Sequence, residues 1–207
     1  MLRDLDALSD SELRTAYEQS VQWFVASAAR VPDDRWDAHA MGTWTTRELV
    51  AHTSRSLDLV QRYLDAPAGP VTLLGRTAYT RVVYANPTPT LHRDVAERAR
   101  ETADALGPDI VAGVWRLGDD VLNRLARTPD TAPCTTHIGT VTLVDYLPSR
   151  IGELVVHTLD LHKAMGWSTD EAPRLPVEVT LGFVVALADP VRAIMALSGR
   201  IGYDVFS

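Results

Sequence analysis

At 207 residues, with 46% hydrophobic and 23% charged, the chain can bury one sizeable core without covalent cross-links, and its single cysteine, Cys134, excludes an internal disulfide. A net charge of −7 argues against general nucleic-acid binding. The longest apolar run, Phe183 to Ala188, falls far short of the ~20 residues that cross a bilayer, and Met1 to Asp10 carries acids where a signal peptide needs a basic region.

The elements read in chain order are helical. Ser9 and Glu12 have capping-box spacing, and Leu13, Tyr17, Val21, Phe24 and Ala28 form an apolar stripe, predicting a first helix over about 11–30. A loop through Trp36, His39 and Gly42 leads to a second helix, about 46–64, with Thr45 and Glu48 again at capping-box spacing. The stretch Val71 to Pro89 is ambiguous and ends in the loop sequence Asn86-Pro87-Thr88-Pro89. Helices follow over about 90–106 and 109–127, separated by Gly107-Pro108. After a polar loop, 128–139, a long helix is expected over 140–165, with Pro148 inside it and Gly166 ending it. A last helix, about 177–197, stops at Gly199. Apolar stripes without a convincing set of strands argue for an all-α bundle, read as one domain over 1–207 in the cytoplasm. The apolar segment Phe183 to Leu197 either closes that bundle or offers a homodimer face, and closure is the simpler reading.

Chemistry concentrates in the long helix. Glu153 and His157 lie four residues apart, one turn along a single helical face, where a carboxylate and an imidazole can grip one ion together. An unpaired buried carboxylate costs several kcal/mol or turns neutral, and a cation offsets that cost. His52 falls on the apolar stripe of the second helix, and two histidines with one carboxylate form a ligand set of catalytic zinc that also suits iron, nickel or cobalt. Spacing alone leaves other readings open, because Glu-x-x-x-His arises by chance and Arg150 can pair with Glu153 along the helix. Glu48 repeats the spacing to His52, but capping the helix start accounts for it. Asp160 either holds the His157 imidazole or faces solvent. His39, His92, His137 and His162 are read as non-ligands, and Cys134 as a loop or core residue.

Two segments carry a family resemblance. Met41-Gly42-Thr43-Trp44-Thr45-Thr46-Arg47-Glu48-Leu49-Val50-Ala51-His52 and Arg150-Ile151-Gly152-Glu153-Leu154-Val155-Val156-His157-Thr158-Leu159-Asp160-Leu161 resemble the mycothiol-dependent maleylpyruvate isomerase family, N-terminal domain. The resemblance implies a DinB-like up-and-down bundle of four long helices with additional short ones. It implies metal ligands at His52, Glu153 and His157, zinc as the usual metal, and mycothiol as the low-molecular-weight thiol co-substrate. The corresponding activity is S-transfer to, or isomerisation of, a small electrophilic substrate through a metal-bound thiolate. Arg150 and, more weakly, Tyr146 are candidates for orienting that substrate. Two-domain members carry a further C-terminal domain whose contacts cannot be carried over. A hydrolase or lyase using metal-activated water and a non-catalytic metal- or ligand-binding bundle stand as alternatives.

Overall fold

The computed structural model describes residues 4–85 and 91–202. Four long helices make the bundle: α1 (Asp10–Ala29), α2 (Thr46–Asp65), α5 (Ile110–Leu125) and α6 (Leu143–Met165). Between α2 and α5 lie α3 (Ala78–Ala85) and α4 (Leu91–Leu106), and after α6 come α7 (Arg174–Leu187) and α8 (Pro190–Leu197). Asn86 to Pro89, read as a loop, lies outside the described residues. Around the bundle the neighbours run α1, α6, α2, α5, so α1 faces α2 across a diagonal. The Tyr17 hydroxyl spans that diagonal, donating to the Ser56 carbonyl at 3.1 Å.

Polar contacts at the helix ends give the directions. Arg14 near the start of α1 donates to the Leu125 carbonyl at the end of α5, so these two are antiparallel. Ser27 near the end of α1 meets His162 near the end of α6, so these run together. Arg124 and Asp65 pair at 2.7 Å at the ends of α5 and α2. The long helices therefore run up, down, down and up in chain order, and the α3–α4 excursion makes the repeated direction possible.

Both capping boxes read in the sequence are present. Ser9 caps α1 with Glu12, and Thr45 caps α2 with Glu48. Short antiparallel hairpins are the main departure from the sequence reading. β1 (His39–Met41) pairs with β2 (Trp44–Thr45), and β3 (Pro133–Thr136) pairs with β4 (Gly139–Thr142). The long helix consequently begins at Leu143, with Thr142 as its cap accepting from the Asp145 amide, and Thr140 to Thr142 is strand. Pro148 sits in the second turn without interrupting it, and Gly166 closes the helix in the left-handed region at φ 71°.

The last predicted helix is two. Asp189 is extended ahead of Pro190, as a residue before proline prefers, and its carboxylate caps α8 by accepting from the Arg192 amide. Only the first piece closes the core. Phe183 of α7 is buried against Gly152 of α6, where an added Cβ would meet its ring at 3.3 Å. No described helix is long and apolar enough to cross a membrane. Removing the cap of α2 with Thr45→Ala should cost about 1 kcal/mol of unfolding free energy, measured by urea denaturation.

Candidate metal centre

Two helices supply the centre, and each is started by a hairpin. The Thr46 amide donates to the Ala38 carbonyl and the Arg47 amide to the Trp36 carbonyl, anchoring α2 to the segment that precedes it. His52 follows in the second turn of α2. Facing it, antiparallel α6 presents Glu153 and His157 a turn apart.

The three side chains converge. Glu153 Oε2 lies 3.6 Å from His52 Nε2 and 3.5 Å from His157 Nε2. One ligand atom from each residue falls within 4.8 Å of the other two, and no fourth histidine, cysteine, aspartate or glutamate among the described residues joins them. The imidazoles stand edge to face at 4.9 Å. Two nitrogens and one oxygen with positions left over suit a borderline divalent ion such as zinc, so the residues present fit the metal that the sequence resemblance implied.

The two histidines are held differently. His157 Nδ1 is 3.1 Å from Asp160 Oδ2, so the Nδ1–H donates to that carboxylate and Nε2 is the nitrogen that faces Glu153 and the centre. Of the two sequence alternatives for Asp160, the structure shows the imidazole contact. His52 Nδ1 is buried without a hydrogen-bond partner, and the ring is instead packed by Trp44 at 4.6 Å. Trp44 also approaches His157 at 6.3 Å. It is a site residue missed in the sequence reading, although its position just before the α2 cap was visible.

Electrostatics separate the groups. Burial works to raise the Glu153 carboxyl, but hydrogen bonds from His157 and His52 and the charges of His157 and Arg150 hold it well below the usual carboxylate range. Burial works to lower His157, yet Asp160 and Glu153 together push it up to about 9. At His52 burial dominates and the pKa falls below its ordinary value.

Residues 24–162 match the mycothiol maleylpyruvate isomerase N-terminal domain family. The chain belongs to that family. Among solved structures, a mycothiol-dependent maleylpyruvate isomerase is similar at a TM-score of 0.58 and 17% identity, covering 89% of this chain and 71% of that one. A histidine-to-alanine mutant of that enzyme aligns with the same values. No curated protein matches. The DinB-like bundle expected from the resemblance is therefore the fold of this chain, and the family is named for an enzyme.

The other sequence candidates have distinct places. Glu48 is committed to the Thr45 cap and pairs with Arg100 at 3.0 Å. His39 bonds the Gly42 carbonyl in its own hairpin, and His137 lies at the exposed turn between β3 and β4. The His92 side chain lies outside those the structure describes. His162 is fully buried, between Ser27 Oγ at 2.9 Å and the Ser168 carbonyl at 2.7 Å, with Trp23 and Trp167 packed on its ring. Cys134 is in the core, where burial pushes its thiol up to about 12, so it is no nucleophile at neutral pH. Arg150 forms no ion pair with Glu153 or Asp160 among the described residues; its guanidinium lies over the rings of Tyr146 and Tyr79.

The raised His157 pKa fixes a pH dependence. A histidine whose folded pKa is raised contributes stability that is fully present below its ordinary value of 6.5 and is lost as pH rises through about 9. The metal-free protein should therefore lose unfolding free energy between pH 6.5 and 9, measured by urea titration at a series of pH values, and His157→Gln should flatten that slope. Replacing the orienting carboxylate with Asp160→Asn should weaken binding of a divalent ion about 10- to 100-fold, measured by competition with a chromophoric chelator.

Proposed function

We propose that this protein is a metal-dependent, mycothiol-dependent S-transferase or isomerase acting on a small electrophilic substrate. The observation that carries the reading is the convergence of two imidazole nitrogens and one carboxylate oxygen within 4.8 Å, on facing helices of a family member. His52, Glu153 and His157 would hold the ion, with zinc the metal that the donor set suits well. A bound ion would supply Lewis acidity that favours the reactive thiolate form of a thiol.

The chain's own residues divide the remaining tasks. Asp160 accepts from His157 Nδ1–H and fixes the ring, so that Nε2 would be the nitrogen offered to the ion once its own proton is displaced. Trp44 packs on the His52 ring and approaches that of His157. The Glu153 carboxylate remains ionised across neutral pH, so the site needs no prior deprotonation there. Arg150 and Tyr146, earlier on the same face of α6, would orient a substrate. Addition of the thiolate followed by its loss gives isomerisation, and displacement of a leaving group gives transfer.

The purified protein should carry about one divalent ion per chain by elemental analysis, and His52→Ala and Glu153→Ala should each lose it. Metal-loaded wild type should accelerate consumption of mycothiol by electrophiles. Retained thiol consumption in a metal-free His157→Ala protein would show that the chemistry does not need this centre.

A further inference from the structure

The polar row on α6 does not stop at the triad. Tyr146, Arg150, Glu153 and His157 follow at steps of four, three and four residues, which keeps all of them on one face. The first half of the row has two features that the protein itself leaves unanswered. Arg150 retains only 8% of its surface yet has no carboxylate within ion-pair distance among the described residues. Its Nε donates to Ser149 Oγ at 3.2 Å, and neither Nη group donates to another described residue. The Tyr146 hydroxyl is fully buried and has no hydrogen-bond partner.

These two groups share one aromatic box. The Arg150 guanidinium carbon lies 5.0 Å from the Tyr146 ring centre and 5.6 Å from that of Tyr79 on α3. Tyr79 and Tyr63 in turn pack on Tyr146 at 5.1 and 5.6 Å. The charged neighbour of the guanidinium is Glu153, whose carboxylate is already engaged by two imidazoles. Rings can hold a guanidinium by cation–π attraction, but they cannot accept its hydrogen bonds in the plane. Glu153 balances the guanidinium's charge, but the Nη groups bond no described residue and the buried Tyr146 hydroxyl has no partner, so both keep hydrogen-bonding capacity that a ligand can complete.

We infer that Arg150 and Tyr146 form an anion subsite that takes a carboxylate of the electrophilic substrate, next to the triad along α6. A planar carboxylate accepts two parallel bonds from the guanidinium fork and leaves a lone pair for the Tyr146 hydroxyl. Arginine suits this role because it stays charged when buried. The inference rests on the proposed thiol chemistry for the identity of the ligand as substrate, whereas the anion site itself stands on the α6 geometry alone.

A matched pair of electrophiles tests it: iodoacetate and iodoacetamide, which differ in charge and react by one step. The thiolate sulfur forms a bond to the CH2 carbon as the carbon–iodine bond breaks and iodide leaves. With mycothiol and the metal-loaded protein, kcat/KM normalised to the uncatalysed rate should favour iodoacetate. Arg150→Gln should erase that preference by about 10- to 100-fold, the loss expected for hydrogen bonds to a charged group, with partial rescue in Arg150→Lys. A second readout is independent of turnover: acetate, but not acetamide, should raise the melting temperature of the metal-free wild type and leave Arg150→Gln unmoved. Tyr146→Phe should melt no lower than wild type without ligand, because its hydroxyl bonds nothing in the protein, yet lose most of the acetate shift. Turnover of iodoacetamide without preference for iodoacetate would overturn the inference and leave the thiol chemistry standing. Absence of turnover with both would overturn the thiol chemistry, and the acetate shift then decides the anion site: present, it supports the site; absent, it removes it.

Discussion

Glu153 is the residue on which the polar interior depends. It sits on a helix whose other inward positions are mostly apolar, and a carboxylate there is unfavourable unless positive or hydrogen-bonding groups reach it. The bundle answers with an imidazole from each side of the α2–α6 contact, at nearly equal distances. The same arrangement that neutralises the carboxylate makes three donor atoms converge. Stability and metal affinity therefore oppose one another at this point. In the metal-free protein His157 is held protonated beside Glu153 and Asp160, and an ion must displace that proton to use Nε2.

The placement of the donors follows from how the two helices begin. α2 and α6 are each preceded by a two-stranded hairpin whose final threonine is the helix cap: Thr45 in one case, Thr142 in the other. A hairpin is stiffer than an open loop, so it fixes where each helix starts, and the cap fixes its first turn. His52 then arises in the second turn of α2. Trp44, the other residue of strand β2, packs against the His52 ring and approaches that of His157, so the hairpin that starts the helix also brings an aromatic ring to the centre.

Much of this was legible from residue pattern, and the parts that were not share a cause. Apolar stripes and capping boxes located the four long helices, because both signals are local. The Glu153/His157 spacing read correctly as one face of a helix for the same reason. The hairpins escaped because four-residue strands, such as Pro133 to Thr136, carry too few alternations to stand out from loop sequence. Tyr63 and Tyr79 escaped because their partner is a residue on a third element, and no spacing along the chain encodes it. Helical spacing turns His162 away from His157, but its burial between two tryptophans is encoded by no single helix. The apolar composition on both sides of Asp189-Pro190 reads as one helix, whereas proline there ends one helix and starts the next.

The row on α6 gives the two halves of the site a fixed separation. A helix rises 1.5 Å per residue, so Arg150 is offset from His157 by about 10 Å and from Glu153 by about 4.5 Å along the axis. A loop would allow these distances to vary; a helix seated by Phe183 against Gly152 on its far side does not. A ligand that engages both halves must then carry its anionic group and its reactive carbon within a narrow range of spacing. Selectivity in such a site comes from length and charge together, and it resides in residues distinct from those that would hold the ion. On the proposed reading, changes at Tyr146 or Arg150 would alter the choice of electrophile without touching the three residues that would hold the ion.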